Sequence, residues 1–260
     1  MSLPTTALPD RAHFGSPACH NCGAGMATPY CSACGQKRAT RLGTRSLGSE
    51  AWQSFRWFEM SLLRGAWRLL RAPGTVAREY VLGARTRHVH PLKLLLAAVG
   101  VLLLVLARSR YLDSADVHVT RAMELVRSYA NWSFSLGILA IAFASLVAFH
   151  RRGGYNRVEH LVLAAYAHFL VICASIANLL PTLLYRDATF LAAHKRWSST
   201  WMGVIEVAIV LVAFAQFFRV DPRRDGWRLL LAGVLFLVSK WALLRLYAWL
   251  LVKLVLARLA

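Results

Sequence analysis

Five apolar runs decide what this chain can fold into: Leu92–Ala107, Trp132–Phe149, His160–Leu184, Trp201–Phe218 and Leu229–Leu251. A bilayer-crossing helix needs about 17–25 predominantly apolar residues. The first run is short, but Lys93 can lengthen it by snorkelling to the interface. The third is interrupted late by Pro181. Trp132, Tyr185 and Trp201 stand at run ends, where amphipathic rings favour the headgroup level. A soluble all-helical core is the competing reading, and five such runs in one chain argue against it. Composition points the same way. The chain is 57% hydrophobic and 17% charged, whereas soluble domains carry about a quarter charged residues. The expected fold is an all-α polytopic membrane protein with about five transmembrane helices.

Charge placement predicts orientation. The formal net charge is +19, from 31 Lys and Arg against 12 Asp and Glu. Such an excess fits an anionic partner, either nucleic acid or anionic lipid. Eleven of these cations, from Lys37 to Arg87, precede the first run. Arg151, Arg152 and Arg157 fill the second loop, and Arg219, Arg223, Arg224 and Arg228 the fourth. The first and third loops are balanced by Asp113, Asp116, Glu124 and Asp187. This is the positive-inside pattern of a membrane protein, so nucleic acid is the weaker partner class. It predicts a cytoplasmic N-terminus and, with five spans, a C-terminus on the other side. Residues 1–18 hold no apolar signal core and read as a disordered tail. The expected organisation is a tail over 1–18, a metal ribbon over 19–36, a basic amphipathic juxtamembrane region over 37–91 and a helical membrane domain over 92–260.

The second constraint is a cysteine pattern. Cys19-His20-Asn21-Cys22-Gly23 and Cys31-Ser32-Ala33-Cys34-Gly35 are two C-x-x-C-G knuckles. Two thiolates three residues apart can bind one ion from a tight turn, and the following glycine allows positive φ. Cys19, Cys22, Cys31 and Cys34 therefore predict one tetrahedral Zn²⁺ site. The segment between the knuckles is short, so metal must supply most of the folding free energy. Redox dithiols are the alternative, but no thioredoxin-like context surrounds them. Four cysteines close the metal shell, which makes the zinc structural and not catalytic. Cys173, alone in an apolar run, reads as a small buried hydrophobe.

Between Glu50 and Arg71 the chain fits an amphipathic helix. Trp52, Phe55, Phe58, Leu62, Leu63, Ala66, Leu69 and Leu70 share one arc, and Arg56, Arg64, Arg68 and Arg71 the other. Such a helix suits the headgroup plane, with the four arginines contacting anionic lipid. Packing against the membrane domain is the other reading. Pro73-Gly74 breaks the helix, and Pro91 opens the first span. His88 and His90 flank Val89, and an interfacial role is favoured over metal binding.

These residues carry a resemblance. The ribbon ending Tyr30-Cys31-Ser32-Ala33-Cys34-Gly35-Gln36-Lys37 is followed by an aromatic-rich helix. Then come Ala72-Pro73-Gly74-Thr75-Val76-Ala77-Arg78-Glu79-Tyr80-Val81-Leu82-Gly83-Ala84-Arg85 and Pro91-Leu92-Lys93. Over roughly residues 19–95 this resembles the bacterial membrane family catalogued as domain of unknown function 3667. The resemblance implies a bacterial cytoplasmic membrane protein with a zinc ribbon and several spans, and it implies no activity.

Ionisable groups inside lipid are costly and are functional candidates. Glu206 lies in the fourth run, Lys240 and Arg245 in the fifth, and His168 in the third. Opposite helix directions predict a Glu206–Arg245 or Glu206–Lys240 pair, and His168 is a candidate proton relay. His160, Asn178 and Gln216 should hydrogen-bond across helices. No H-E-x-x-H, P-loop, dinucleotide turn or G-x-S-x-G is present. Three functions follow in order of support. The first is a non-enzymatic adaptor or regulator whose cytoplasmic ribbon recruits a protein partner. The second is a small transporter or channel component built on the intramembrane charges. The third is a membrane enzyme acting on lipid or an envelope precursor, using Asp113, Asp116, Asp187 or His194.

Overall fold

A computed structural model describes residues 8–44, 46–48, 61–109, 136–150, 152–185 and 187–259. The described chain is helical, and its only extended pairings there are two isolated bridges in the cysteine region. The helices are α1 (Arg11–Phe14), α2 (Ser61–Arg71), α3 (Pro73–Val81), α4 (Pro91–Arg108), α5 (Leu136–Phe149), α6 (Arg157–Leu179), α7 (Pro181–Leu184), α8 (Ala188–Phe218) and α9 (Pro222–Leu259).

Among the described residues, four helical segments are long and apolar enough to cross a membrane: α4, α6 continued by α7, α8 and α9. The second apolar run appears as α5, which is shorter, and its start at Trp132 lies outside the described residues. The expected count of five is therefore four full-length candidates plus this shorter helix. Pro181 acts as expected. Proline cannot donate a helical hydrogen bond, so α6 stops at Leu179 and the short α7 restarts with Pro181 at its first turn.

The membrane domain is organised around α6, in which every residue from Val162 to Ile172 is buried. α5 runs antiparallel to it. The Ser145 hydroxyl and His160 Nδ1 are 2.7 Å apart near one end, and Gly137 lies against the His168 ring near the other. Phe149 stacks on Phe218 with centroids 4.2 Å apart, which ties α5 to the end of α8. α9 lies outermost and pairs antiparallel with α8. Leu230, Val234, Trp241 and Trp249 on α9 are exposed. Exposed apolar side chains along spanning helices are the surface a bilayer covers.

The starts of α4, α6 and α9 and the ends of α5 and α8 share one face of this bundle, and the cysteine region sits on that face. α3 is packed into it. Gly74 rests directly on the last turns of α8, where an added Cβ would lie 2.0 Å from Ala213 O and 2.6 Å from Phe217 N. Gln216 Oε1 accepts from Gly74 N at 3.0 Å, which is the cross-helix bond expected of that glutamine. Arg152 is joined to Asp225, linking the α5–α6 and α8–α9 turns.

The leader departs from expectation. From Leu8 onward the segment read as a disordered tail is folded on the cysteine region. Asp10 caps α1 by accepting from His13 N at 2.7 Å. His13 Nε2 donates to Leu82 O at 2.8 Å, and its ring stacks on His20 at 4.3 Å. A short capped turn with two such anchors overrides the Pro- and Thr-rich composition that suggested disorder.

A candidate metal centre and an intramembrane ion pair

Each knuckle folds as its sequence dictates. Gly23 N donates to Cys19 O and Gly35 N to Cys31 O, both at 2.8 Å. Gly23 and Gly35 sit at φ 81° and 71°, the left-handed region where a Cβ is disfavoured. Cys19 N then bonds to Ala24 O at 2.7 Å, and Cys31 N to Gln36 O at 2.9 Å. The two halves are near repeats of one turn. They face each other so that the sulfur atoms of Cys19, Cys22, Cys31 and Cys34 lie within 4.8 Å of one another.

The separations suit a tetrahedral ion. Cys19 Sγ to Cys34 Sγ is 3.7 Å and Cys22 Sγ to Cys31 Sγ is 3.5 Å. A tetrahedron with metal–sulfur bonds of about 2.3 Å has edges of about 3.8 Å. Disulfides need S–S of about 2.05 Å, and all four cysteines are free. The thiols do not shift alike: a hydrogen bond from the Asn21 side chain is the largest influence on Cys34 and brings its thiol down to about 6, whereas Cys22, despite a hydrogen bond from the Ala24 backbone, is pushed up to about 12 by its neighbouring thiols. His20 supplies no fifth ligand. Its ring is committed to His13 and Phe14.

The ribbon is clamped to the membrane domain. Gln36, directly after the second knuckle, is buried. Its Nε2 donates to Gly83 O at 2.8 Å. Its Oε1 accepts from Arg85 N at 3.0 Å and from Thr86 N and Oγ1, both at 3.1 Å. Gly83 has φ 105°, and a Cβ there would meet Ala39 Cβ at 2.9 Å and His20 Cβ at 3.1 Å. Further along, Arg41 Nε donates to Glu159 Oε1 at 3.0 Å and its Nη2 to Oε2 at 3.2 Å. Glu159 is fully buried and also closes the capping box that starts α6 with Asn156. Asn156 Nδ2 donates to Leu42 O at 2.9 Å, and Leu42 enters the hydrophobic core.

Gln36→Leu keeps the side chain's bulk but strands Gly83 O and two backbone amides. An unpaired buried polar group costs about 1–3 kcal/mol. Thr86 is exposed and can turn to water, so the cost falls mainly on Gly83 O and Arg85 N, and a loss of about 2 kcal/mol in docking is expected. Hydrogen exchange of residues 8–42 in membranes should accelerate by more than tenfold, while α6 exchange stays unchanged. Equal exchange in both proteins would mean that Gln36 does not hold the cap.

The histidine pair that flanks Val89 is split. His88 Nε2 lies 2.7 Å from Glu79 Oε2, and this contact holds the Glu79 carboxyl below the usual carboxylate range. His90 Nδ1 instead accepts from Leu92 N and caps α4, and burial lowers it to about 4. The two rings are buried and serve different elements. On α2, Leu69 is buried while Trp67, Arg68, Leu70 and Arg71 are exposed. Arg71 lies 4.5 Å over the Trp67 ring. The helix thus packs by one face and presents an aromatic and basic face outward. Arg56 lies outside the described residues, as does the side chain of Arg64.

Within the membrane domain Glu206 pairs with Lys240. Of the two partners considered for Glu206, the structure selects Lys240. Arg245 sits elsewhere, 5.4 Å over the Trp241 ring one turn away. Glu206 and His168 lie about 17–18 Å along their helices from the ribbon-side ends at 1.5 Å per residue, within the apolar lengths of α8 and α6. A cavity of about 170 Å³ adjoins them, lined by Gly137, His168, Ser175, Glu206, Phe236 and Lys240 among others. Of the outer-loop candidates, Asp187 caps α8 and His194 stacks on Phe190. Asp113 and Asp116 lie outside the described residues.

Sequence reasoning found the four cysteines and the intramembrane charges. It missed Gln36, Arg41, Gly83 and Glu159, which join the ribbon to the bundle. One signal was readable: Asn156-x-x-Glu159 is a capping-box pattern and marks the start of α6.

Residues 59–103 match the family described as Protein of unknown function (DUF3667). This stretch covers α2, α3, the turn that receives Gln36 and most of α4, so it is part of the ribbon-side face of the membrane domain together with most of the first span. No curated protein matches the chain, and no solved structure does.

Proposed function

We propose that this chain, which carries the DUF3667 segment over residues 59–103, is a multi-pass membrane adaptor or regulator without catalysis of its own. Its ribbon holds structural Zn²⁺ and recruits a protein partner. The basic loops all lie on the ribbon face, which makes that face cytoplasmic by the positive-inside rule, in a bacterial cytoplasmic membrane. Arg68 and Arg71 meet anionic headgroups beside it.

The observation that carries this reading is a closed four-thiolate site on a cap clamped to the bundle. A filled ligand shell leaves no open position for chemistry. Away from the clamp the cap exposes Tyr30, at 58%, beside Lys37 and Arg38, which are also exposed. An aromatic ring ringed by cations suits an acidic protein surface. Because the cap is fixed, partner binding there is coupled directly to the membrane domain.

Surface variants test recruitment without disturbing the metal. Cross-linking in native membranes should capture a defined protein with the wild type. The capture should fall at least tenfold with Tyr30→Ala/Lys37→Glu, with the protein still inserted and metal-loaded. Capture of the same protein at the same yield by both would remove the ribbon as the recruiting surface.

A further inference from the structure

We propose that the cavity between α5, α6, α8 and α9 is a binding site for a small carboxylate with an apolar body, and that Lys240 receives the carboxylate. This goes beyond the adaptor reading and involves a different part of the molecule.

Four observations converge. First, a Glu–Lys pair stands inside two apolar membrane-length helices, where charge is costly, and a well-packed apolar pair would serve stability as well or better. Second, the pair does not fill its surroundings. It borders a partly open cavity of about 170 Å³, similar in size to the roughly 150 Å³ that accepts benzene in an engineered protein core. That admits about six to nine heavy atoms. Third, the walls suit an amphipathic guest. Leu136, Ile141, Val171, Ile172, Phe236 and Leu244 supply apolar surface, while Lys240, Glu206, His168 and Ser175 supply the polar groups. Fourth, the space depends on a missing side chain. A Cβ on Gly137 would come within 2.4 Å of His168 Cε1, so the ring sits where any other residue would push it into the void.

Charge balance narrows the guest further. Lys240 is an ammonium with three donors, and Glu206 accepts one of them. A carboxylate can take another. Its negative charge then needs compensation, because an uncompensated charge at this depth is excluded. Two sources of the same carboxylate chemistry meet this condition. A zwitterionic amino acid brings its own ammonium, which Glu206 accepts. A simple monocarboxylate binds together with one proton, taken up by Glu206 or by His168, the titratable groups facing the cavity from α8 and α6. Among the described residues α5 contributes no titratable group to the wall.

The experiment uses the full-length protein in lipid nanodiscs and titration calorimetry with valine and with 3-methylbutanoate. Each is run in two buffers of different ionisation enthalpy, so that proton uptake is counted. Binding of valine without proton uptake identifies the zwitterion. Binding of 3-methylbutanoate with about one proton identifies the monocarboxylate. Either way, Lys240→Gln should weaken binding about 10- to 100-fold, the loss of one hydrogen bond to a charged group. Lys240→Arg should restore most of it. Ile141→Phe, which fills the void and leaves the ion pair intact, should abolish it and keeps the test valid if Lys240→Gln does not fold. Binding of neither compound, or binding unaffected by Ile141→Phe, overturns the proposal.

Discussion

Removing the metal is expected to unfold residues 8–42 as a unit while the membrane helices remain. The cap has few other resources. Between Leu8 and Leu42 the buried residues are the candidate metal ligands Cys19 and Cys31 together with Pro9, Gln36, Ala39 and Leu42. Structural zinc contributes about 10–16 kcal/mol to small cysteine modules near pH 7, and no burial of this extent approaches that. The clamp does not survive alone, because Gln36 follows Cys34 by two residues and its geometry is set by the bridge between Tyr30 and Lys37. A strong chelator, or Cys31→Ser, should therefore expose the whole segment to protease, with cleavage rates rising by orders of magnitude. Far-UV circular dichroism should fall only slightly, since α1 is the only complete helix in that segment. Acid should act like the chelator, because the ligands bind as thiolates and protonation releases the ion. A cap that stays protected after the metal is measured as gone would show that docking, and not metal, holds it. Elemental analysis of the purified chain, with about one zinc per molecule expected, checks the ion's identity in the same preparation.

The contrast between what could and could not be read from the sequence is one of range. The knuckles are local. Two residues separate each pair of ligands, and the glycine that turns the backbone stands next to them, so composition and spacing suffice. The spans are local too, since hydropathy over one helix decides each of them. Glu206 and Lys240 were legible because a charged residue in an apolar run is conspicuous, although choosing Lys240 over Arg245 needed the actual helix register. The clamp is different. Gln36 finds its partners 47 to 50 residues away, and Arg41 finds Glu159 across 118. No periodicity encodes such pairings. Gly74 and Gly83 look like ordinary breakers, but α8 closes on the first, and the second combines the approach of the ribbon with a φ of 105°. The leader failed for the opposite reason: composition suggested disorder, and the contacts of His13 with Leu82 and His20 overrode it.

Breaking the intramembrane pair one residue at a time should cost far more than removing it whole. Lys240→Met leaves the Glu206 carboxylate, whose side chain is 11% exposed, without its partner inside the apolar length of α8. Glu206→Gln leaves the Lys240 ammonium in the same position. Removing one member of a buried ion pair typically destabilises by about 3–5 kcal/mol, because the remaining charge is uncompensated. The double variant Glu206→Gln/Lys240→Met removes both charges and should recover most of that loss, ending within about 1 kcal/mol of the parent. The Lys240 side chain is 30% exposed and can reach toward an interface by snorkelling, so Glu206→Gln should be the milder single change. Thermal unfolding of the four proteins in one detergent reads the cycle directly. A coupling near zero would mean that the two groups do not meet in the membrane, and the carboxylate site would lose its foundation. A large coupling with a near-neutral double variant has a sharper consequence. The pair would then contribute little to stability, and its presence at such a depth would have to be explained by what it binds.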